Sequence, residues 1–286
     1  FGLNRKNEPI IAIGGGVLLD IVGLAASLYR RGVPYIKIPT TLLGIVDASI
    51  GVKTAINFKD RRNRLGSYHE PIASFLDVSF CATLESIEIS SGLGEILKMA
   101  VVKDAKLFDI LKYHGEDLYE SKFLNNEYSY EVINRAVQGM KDELQDNLWE
   151  KDLERLVDFG HSFSPIPEMR SLVDDDVIAL THGQAVTLDV IFSSVISHLR
   201  ELLSKDELEE IIITAKNCGL PTYHPYFSNA LLLLEALNDT VKHRNGDQNL
   251  PIPTSIGNSI FINDLSFDEI SAAAKKMIEL NDKFKC

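Results

Sequence analysis

Glu95 and Lys98 stand three residues apart in SSGLGEILKMAVVKD, a helical stretch otherwise lined by Leu, Ile and Met. On a solvated helix such a pair contributes only ~0.2–0.5 kcal/mol. Residues 93–102 are too apolar for a solvated face, so an acid and a base set among them point to a functional pair. Two histidines, His161 in LVDFGHSFSP and His182 in LTHGQAV, complete the picture. Together with Glu95 they make a three-ligand set that leaves a coordination position open, the pattern of catalytic zinc. Their separations are too long for a local motif such as HExxH. Spacing alone therefore leaves a metal centre and two ordinary histidines both open.

A second group of residues suggests a phosphate-bearing ligand. Gly14, Gly15 and Gly16 sit between an apolar strand and a helix, where bare backbone can approach a phosphate at the helix N-terminus. The pattern is not G-x-G-x-x-G, and a tight strand–helix turn explains it equally well. Asp20, one turn into the helix, either touches a ligand or complements the helix dipole. In PTTLLGIVDASIGVKTAINF, the polar residues Thr40, Thr41, Asp47, Lys53 and Asn57 lie among small and apolar neighbours. A lysine buried there near an aspartate must be paired or functional. DRRNRLG offers Arg62 and Asn63 as a grip for phosphate or hydroxyls, while Arg61 and Arg64 read as a solvated turn.

These residues need a scaffold, and hydrophobic periodicity supplies one. PIIAIGGG reads as a strand, VLLDIVGLAASLYRRG as a helix stopped by Gly32, and PYIKIPTT as a second strand, which makes a βαβ unit of a parallel sheet. TAINF and IASFLD look like further strands, arranged as a hairpin around DRRNRLG. From Ser86 onward helical spacing dominates, interrupted by one short strand, SIFIND. The expected architecture is an α/β N-terminal domain with a Rossmann-like parallel sheet over residues 1–85, followed by a mostly α-helical domain over 86–286. Thr181 or His182 should cap the helix that starts near Gln184. The chain enters almost at once on a buried strand, without methionine or a signal-peptide pattern, so residues upstream of Phe1 are expected.

Composition narrows the class. A formal net charge of −12 argues against a nucleic-acid or anionic-membrane partner, since phosphate backbones need basic patches. No apolar run approaches the roughly 20 residues that span a bilayer. Cys81, Cys218 and Cys286 are scattered and odd in number, which fits a reducing, cytoplasmic compartment without a disulfide framework.

Taken together, GGGVLLD, PTTLLGIVDASIGVKTAINF, RRNRLGSYHEP, TLESIEISSGLGEILK, DFGHSF and HGQAV resemble, in order, the sugar phosphate cyclase superfamily, whose best-known member is 3-dehydroquinate synthase. The resemblance spans most of the chain. It implies an NAD- and metal-dependent lyase, usually a homodimer, that cyclises a small phosphorylated ketose. Carried over by position, it implies NAD contacts at Gly14, Gly15, Gly16, Asp20, Thr40, Thr41, Asp47, Lys53, Arg62, Thr83 and Glu88. It implies zinc at Glu95, His161 and His182, although such ligands suit cobalt equally. Substrate contacts would come from Asp47, Lys53, Asn63 and Lys98.

Some positions depart from 3-dehydroquinate synthases. Those enzymes carry an asparagine before the zinc histidine and a second histidine after it, where this chain has Asp158 and Pro165. Their phosphate-binding arginine corresponds to position 154, which is Glu here, with Arg155 one residue later. Arg62 replaces the usual lysine, and Gln184 replaces the usual glutamate or histidine of HG-x-AV. The departures imply the branch that uses sedoheptulose 7-phosphate. Within it, Asp158 and His243 match the pattern that yields 2-epi-5-epi-valiolone, while YRRGVPYIKIPTTLLGIVDAS also looks like enzymes that make desmethyl-4-deoxygadusol. On this reading Asp158 and His243 distinguish a ketose from a substrate bearing a carboxylate.

Overall fold

The computed structural model describes residues 2–4, 6–59 and 61–284, without the side chains of 61 and 62. Phe1, Cys286 and the Arg62 side chain thus lie outside the described residues. The N-terminal part opens with β1 (Ile10–Gly14), α1 (Gly16–Leu28) and β2 (Tyr35–Pro39). β1 and β2 pair in parallel, Ile10 opposite Tyr35, as expected of a βαβ unit.

The next segment folds differently from its expectation. β3 (Lys53–Phe58) pairs antiparallel with β4 (Arg61–Tyr68), so most of DRRNRLG is itself the returning strand and not the turn. IASFLD contributes only β5 (Ala73–Ser74), which joins the far side of β2 in parallel, giving the order β1-β2-β5. Gly66 explains the tight β3–β4 pairing, because a Cβ there would lie 2.5 Å from the Thr54 carbonyl oxygen.

Lys37 is the departure from the alternation rule in β2. The strand buries Tyr35 and Lys37 and leaves Ile36 and Ile38 half-exposed. The Lys37 ammonium donates to the carbonyls of Ala48 (2.9 Å) and Gly51 (2.8 Å). It thereby clamps both ends of the segment that follows the π-helical turn Gly44–Ala48. Burial pushes its pKa down to about 8, against the opposing pull of Asp20 and Asp47.

The rest is helical: α2 (Ser86–Lys103), α3 (Ala105–Glu120), α4 (Ser129–Leu144), α5 (Pro165–Ser171), α6 (His182–Leu199), α7 (Lys205–Asn217) and α8 (Ala230–His243). Then β6 (Leu250–Ser255) pairs antiparallel with β7 (Asn258–Ile262), and α9 (Phe267–Phe284) closes the described chain. α2 and α6 run through the centre, and each buries an almost unbroken stretch on all sides. A helix apolar all round belongs in a core, not at a surface. The main hydrophobic cluster gathers around them and also takes in Leu42, Ile45 and Val46 from the N-terminal part. A separate small cluster, Ala26, Val33 and Tyr35, lies under the sheet. Among the described residues no helix is long and apolar enough to cross a membrane.

Candidate active site

Two glycines bring the site together. A Cβ on Gly94 would lie 2.3 Å from the Gly183 carbonyl oxygen, and one on Gly183 would lie 1.8 Å from the Ser91 carbonyl oxygen. Only bare backbone fits, so α2 and α6 touch main chain to main chain, and the Ser91 hydroxyl accepts from the Gly183 N–H at 3.1 Å. This contact sets Glu95 on α2 against His182, the first residue of α6. The helix start is fixed by a capping box: Thr181 Oγ1 accepts from Gln184 N, and Gln184 Oε1 accepts from Thr181 N at 3.0 Å. Gln184, unexplained by sequence, thus has a structural task.

His161 arrives from another direction, after the 3-10 turn Leu156–Asp158. Gly160 makes the bend with φ +74, a left-handed conformation that suits glycine, and a Cβ there would press on Val186 at 2.8 Å. Beyond His161, the Asp189 carboxylate on α6 accepts from the N–H groups of Phe163 (2.6 Å) and Ser164 (2.9 Å). The loop bearing one histidine is thereby tied to the helix bearing the other.

The resulting triangle has metal-site dimensions. His182 Nε2 lies 3.2 Å and His161 Nε2 3.7 Å from Glu95 Oε1, and the two nitrogens are 3.4 Å apart. A tetrahedral zinc with bonds of about 2.0–2.1 Å has ligand–ligand edges of about 3.3–3.4 Å. Both rings have Nδ1 occupied elsewhere: His161 faces the Phe159 carbonyl at 3.1 Å, and His182 faces the Glu168 carboxylate at 3.0 Å. The Nδ1 protons belong on those oxygens, which leaves both Nε2 lone pairs aimed at Glu95 and the space beside it. Glu95 Oε2 is taken by the Lys98 ammonium, whereas Oε1, equally buried, faces the two Nε2 atoms without a well-formed hydrogen bond. A buried carboxylate oxygen in that state is costly unless a cation shares it. The donor set, the edge lengths and the placing of Oε1 all fit a divalent metal, and among the described residues it is the group that could hold one.

Electrostatics separate the two histidines. Burial, reinforced by Lys98, pushes His161 down to about 3. Burial acts on His182 in the same sense, but the accepting carboxylates of Glu168 and Glu95 outweigh it and lift the ring to about 9, so a bound metal would take the place of its Nε2 proton. Lys98 and Glu95 form a fully buried ion pair at 2.5 Å, and the Lys98 ammonium also donates to the Val157 carbonyl at 3.1 Å. Burial works against both charges; Lys98 and the histidines hold Glu95 well below the usual carboxylate range, while Glu95 and Asp47 hold Lys98 above its usual value. Asp47 shares this field, pushed up by burial and then by Glu95.

Around this centre the structure gathers some expected residues and sets others apart. Asp158 is gripped by Arg155 through three bonds of 2.7–3.2 Å and approached by Arg244 at 3.4 Å. Arg155 also meets Glu150, which in turn pairs with Lys53. His243 is not brought to the cluster: its side chain is 66% exposed and lies 3.7 Å from Asp239. Its neighbour Arg244 turns inward instead, held by the Gln248 and Asn249 carbonyls. Asn63 is also apart, exposed on the β3–β4 hairpin with its N–H donating to Asn57. Sequence reasoning missed Glu168, Arg244, Glu150, Lys37 and Asp189 as members of this constellation.

At the other end, Gly14, Gly15 and Gly16 surround the start of α1. That helix has no side-chain cap and no acid in its first turn, as an anion-binding N-terminus requires. A Cβ on Gly15 would meet the Thr41 methyl at 3.1 Å, and Thr41 Oγ1 accepts from Gly44 N, so glycine keeps the turn open beside Thr40 and Thr41. Asp20 faces Lys37 and Tyr35 from within the helix. Thr83 and Glu88 lie exposed, Thr83 on the 3-10 turn Val78–Thr83 and Glu88 in the first turn of α2.

Known proteins resemble this chain over nearly its whole length. The 3-dehydroquinate synthase N-terminal family model matches residues 2–91, and the C-terminal model matches residues 92–242. The chain belongs to the 3-dehydroquinate synthase family. Within the family, it is 49% identical over 284 residues to a 2-epi-5-epi-valiolone synthase of Streptomyces hygroscopicus subsp. jinggangensis, covering 98% of this chain and 67% of that one. It is 35% identical over 287 residues to a demethyl-4-deoxygadusol synthase of Trichormus variabilis, covering 98% and 68%. A solved family structure, ValA, a 2-epi-5-epi-valiolone synthase from the same Streptomyces with NAD+ and Zn2+ bound, superposes with a TM-score of 0.93 at 50% identity, over 98% of this chain and 76% of that chain.

Proposed function

We propose that the protein cyclises sedoheptulose 7-phosphate to 2-epi-5-epi-valiolone with loss of phosphate, using NAD and zinc. The observation that carries this reading is the identity gap, 49% to a valiolone synthase against 35% to a gadusol synthase, in a chain that keeps the complete Glu95–His161–His182 corner. When bound, NAD would supply transient oxidation of a carbinol and zinc would polarise its oxygen, so that the neighbouring C–H becomes acidic enough for phosphate to leave.

The chain's own residues do the rest. Glu95, His161 and His182 would hold the metal, with Glu168 and the Phe159 carbonyl fixing both rings. Gly14, Gly15, Gly16, Thr40, Thr41 and Asp47 would receive the cofactor, with Lys37 bracing the loop behind Asp47. Lys98, kept charged by Glu95, is placed to orient a substrate hydroxyl. Asp158 selects by occupation: it fills the planar fork of Arg155 that would otherwise grip a substrate carboxylate. A ketose without a carboxylate loses nothing by that. Buried free thiols at Cys81 and Cys218 support the cytoplasmic compartment in this reading, which includes the homodimer.

The test is incubation with sedoheptulose 7-phosphate and, separately, 3-deoxy-arabino-heptulosonate 7-phosphate, with NAD and zinc, followed by mass and NMR analysis. The expected result is one phosphate released per valiolone formed from the former, with no net NADH. Net NADH, or a cyclised product from the latter alone, would overturn the assignment.

A further inference from the structure

Glu150 holds a place that its sequence does not explain. It lies between α4 and the 3-10 turn before His161, and its backbone sits at φ 50, a left-handed conformation uncommon for a residue with a side chain. Its carboxylate is 11% exposed and forms ion pairs with Lys53 of β3 and with Nη1 of Arg155, while the Tyr68 hydroxyl of β4 stands 3.5 Å away. Donors from three separate segments thus converge on one carboxylate.

Those donors are shaped for an oxyanion. Arg155 spends Nε and Nη2 on Asp158, which keeps the guanidinium in place, and turns Nη1 the other way. Nη1 is buried and lacks a well-formed hydrogen bond despite its closeness to Glu150. Lys53 is 59% exposed, so the site opens to solvent. A phosphate dianion carries more charge and more acceptor oxygens than a carboxylate and would satisfy both cations better. Asn147 staples the Glu150 segment to Asp152 through bonds of 2.8 and 3.1 Å, and the segment borders a cavity of about 460 Å³ lined by Asn147, Trp149 and Arg155.

We propose that Glu150 is a built-in competitor for the cation site formed by Lys53 and Arg155. It cedes the site to the phosphate of an incoming substrate and reclaims it as inorganic phosphate leaves. The exchange is purely ionic: one carboxylate withdraws and one phosphate enters. This role rests on the reading that the substrate is a phosphate ester, and it adds a device that speeds product release and rejects weaker anions.

Trp149, the chain's one tryptophan, adjoins Glu150 and reports on the exchange. Inorganic phosphate is titrated into the holoprotein and into its Glu150→Gln, Glu150→Asp and Lys53→Gln variants, with fluorescence and calorimetry as readouts. Wild type should bind saturably with a change in Trp149 emission. Glu150→Gln, which keeps the shape but loses the charge, should bind about tenfold tighter, and Glu150→Asp should fall between them. Lys53→Gln should bind about tenfold weaker. Unchanged or weaker affinity in Glu150→Gln, or no saturable binding in both it and wild type, overturns the proposal. Because phosphate binding needs no turnover, a protein that behaves as described but ignores sedoheptulose 7-phosphate refutes the proposed function and leaves this role standing.

Discussion

The α2–α6 crossing can be tested with one methyl group. In Gly183→Ala the new Cβ would stand 1.8 Å from the Ser91 carbonyl oxygen, a backbone atom that cannot rotate away. Bringing that contact to 3.0 Å requires the helices to part by about 1.2 Å. Metal ligands tolerate displacements of only about 0.2 Å, so the edge between Glu95 and His182 would open beyond what one ion can bridge. Overpacking of this kind costs about 1–3 kcal/mol of stability. The assay is zinc content after exhaustive dialysis, alongside urea denaturation. Gly183→Ala should retain well under one zinc per chain and unfold earlier. Gly139→Ala is the control, because its Cβ would meet only the Met99 methyl at 3.4 Å, and it should be neutral or slightly stabilising. Wild-type zinc content and stability in Gly183→Ala would refute the argument.

Three further outcomes follow from the same geometry. Glu168→Gln removes the carboxylate behind His182 and should weaken zinc about 10–100-fold in a competition titration, while leaving the fold intact by circular dichroism. Asp158→Asn leaves the Arg155 fork less occupied, and the preference for sedoheptulose 7-phosphate over its carboxylate-bearing counterpart should fall by about tenfold or more, ~1.4 kcal/mol, in paired product assays. Asp189 is raised to about 6, chiefly by burial, so the folded protein holds a proton there that the unfolded chain, near 3.8, has lost. Its contribution is full below pH 4 and declines by about 3 kcal/mol as pH rises through 6; Asp189→Asn should abolish that part of the slope in urea melts between pH 4.5 and 7.

Legibility followed the strength of local signals. The apolar runs of α2 and α6 are long enough to announce buried helices, and Glu95, Lys98, His161 and His182 stood out against them. α5 has only seven residues and starts at Pro165, too short for periodicity to register, so Glu168 was hidden with it. Pro251 and Pro253 disguised β6, because proline removes ladder donors and argues against a strand. Lys37 was visible as a charge in the apolar strand YIKIP, but alternation alone does not say which face turns inward. His243 and Arg244 show the limit most clearly: adjacent residues at a helix end point in opposite directions, and only tertiary packing decides which one enters.

Leu42, Ile45 and Val46 are packed into the helical core, whereas Ala26, Val33 and Tyr35 form a cluster of their own. The stretch that carries Asp47 is also held from the sheet side, where Lys37 of β2 takes the Ala48 and Gly51 carbonyls and the Ser74 hydroxyl of β5 donates to the Ser49 carbonyl. Mechanically, it is a rivet: its apolar side chains are sunk in the helical core while its carbonyls are fastened to two strands of the sheet. A substitution that loosens either fastening would therefore disturb Asp47 without touching it.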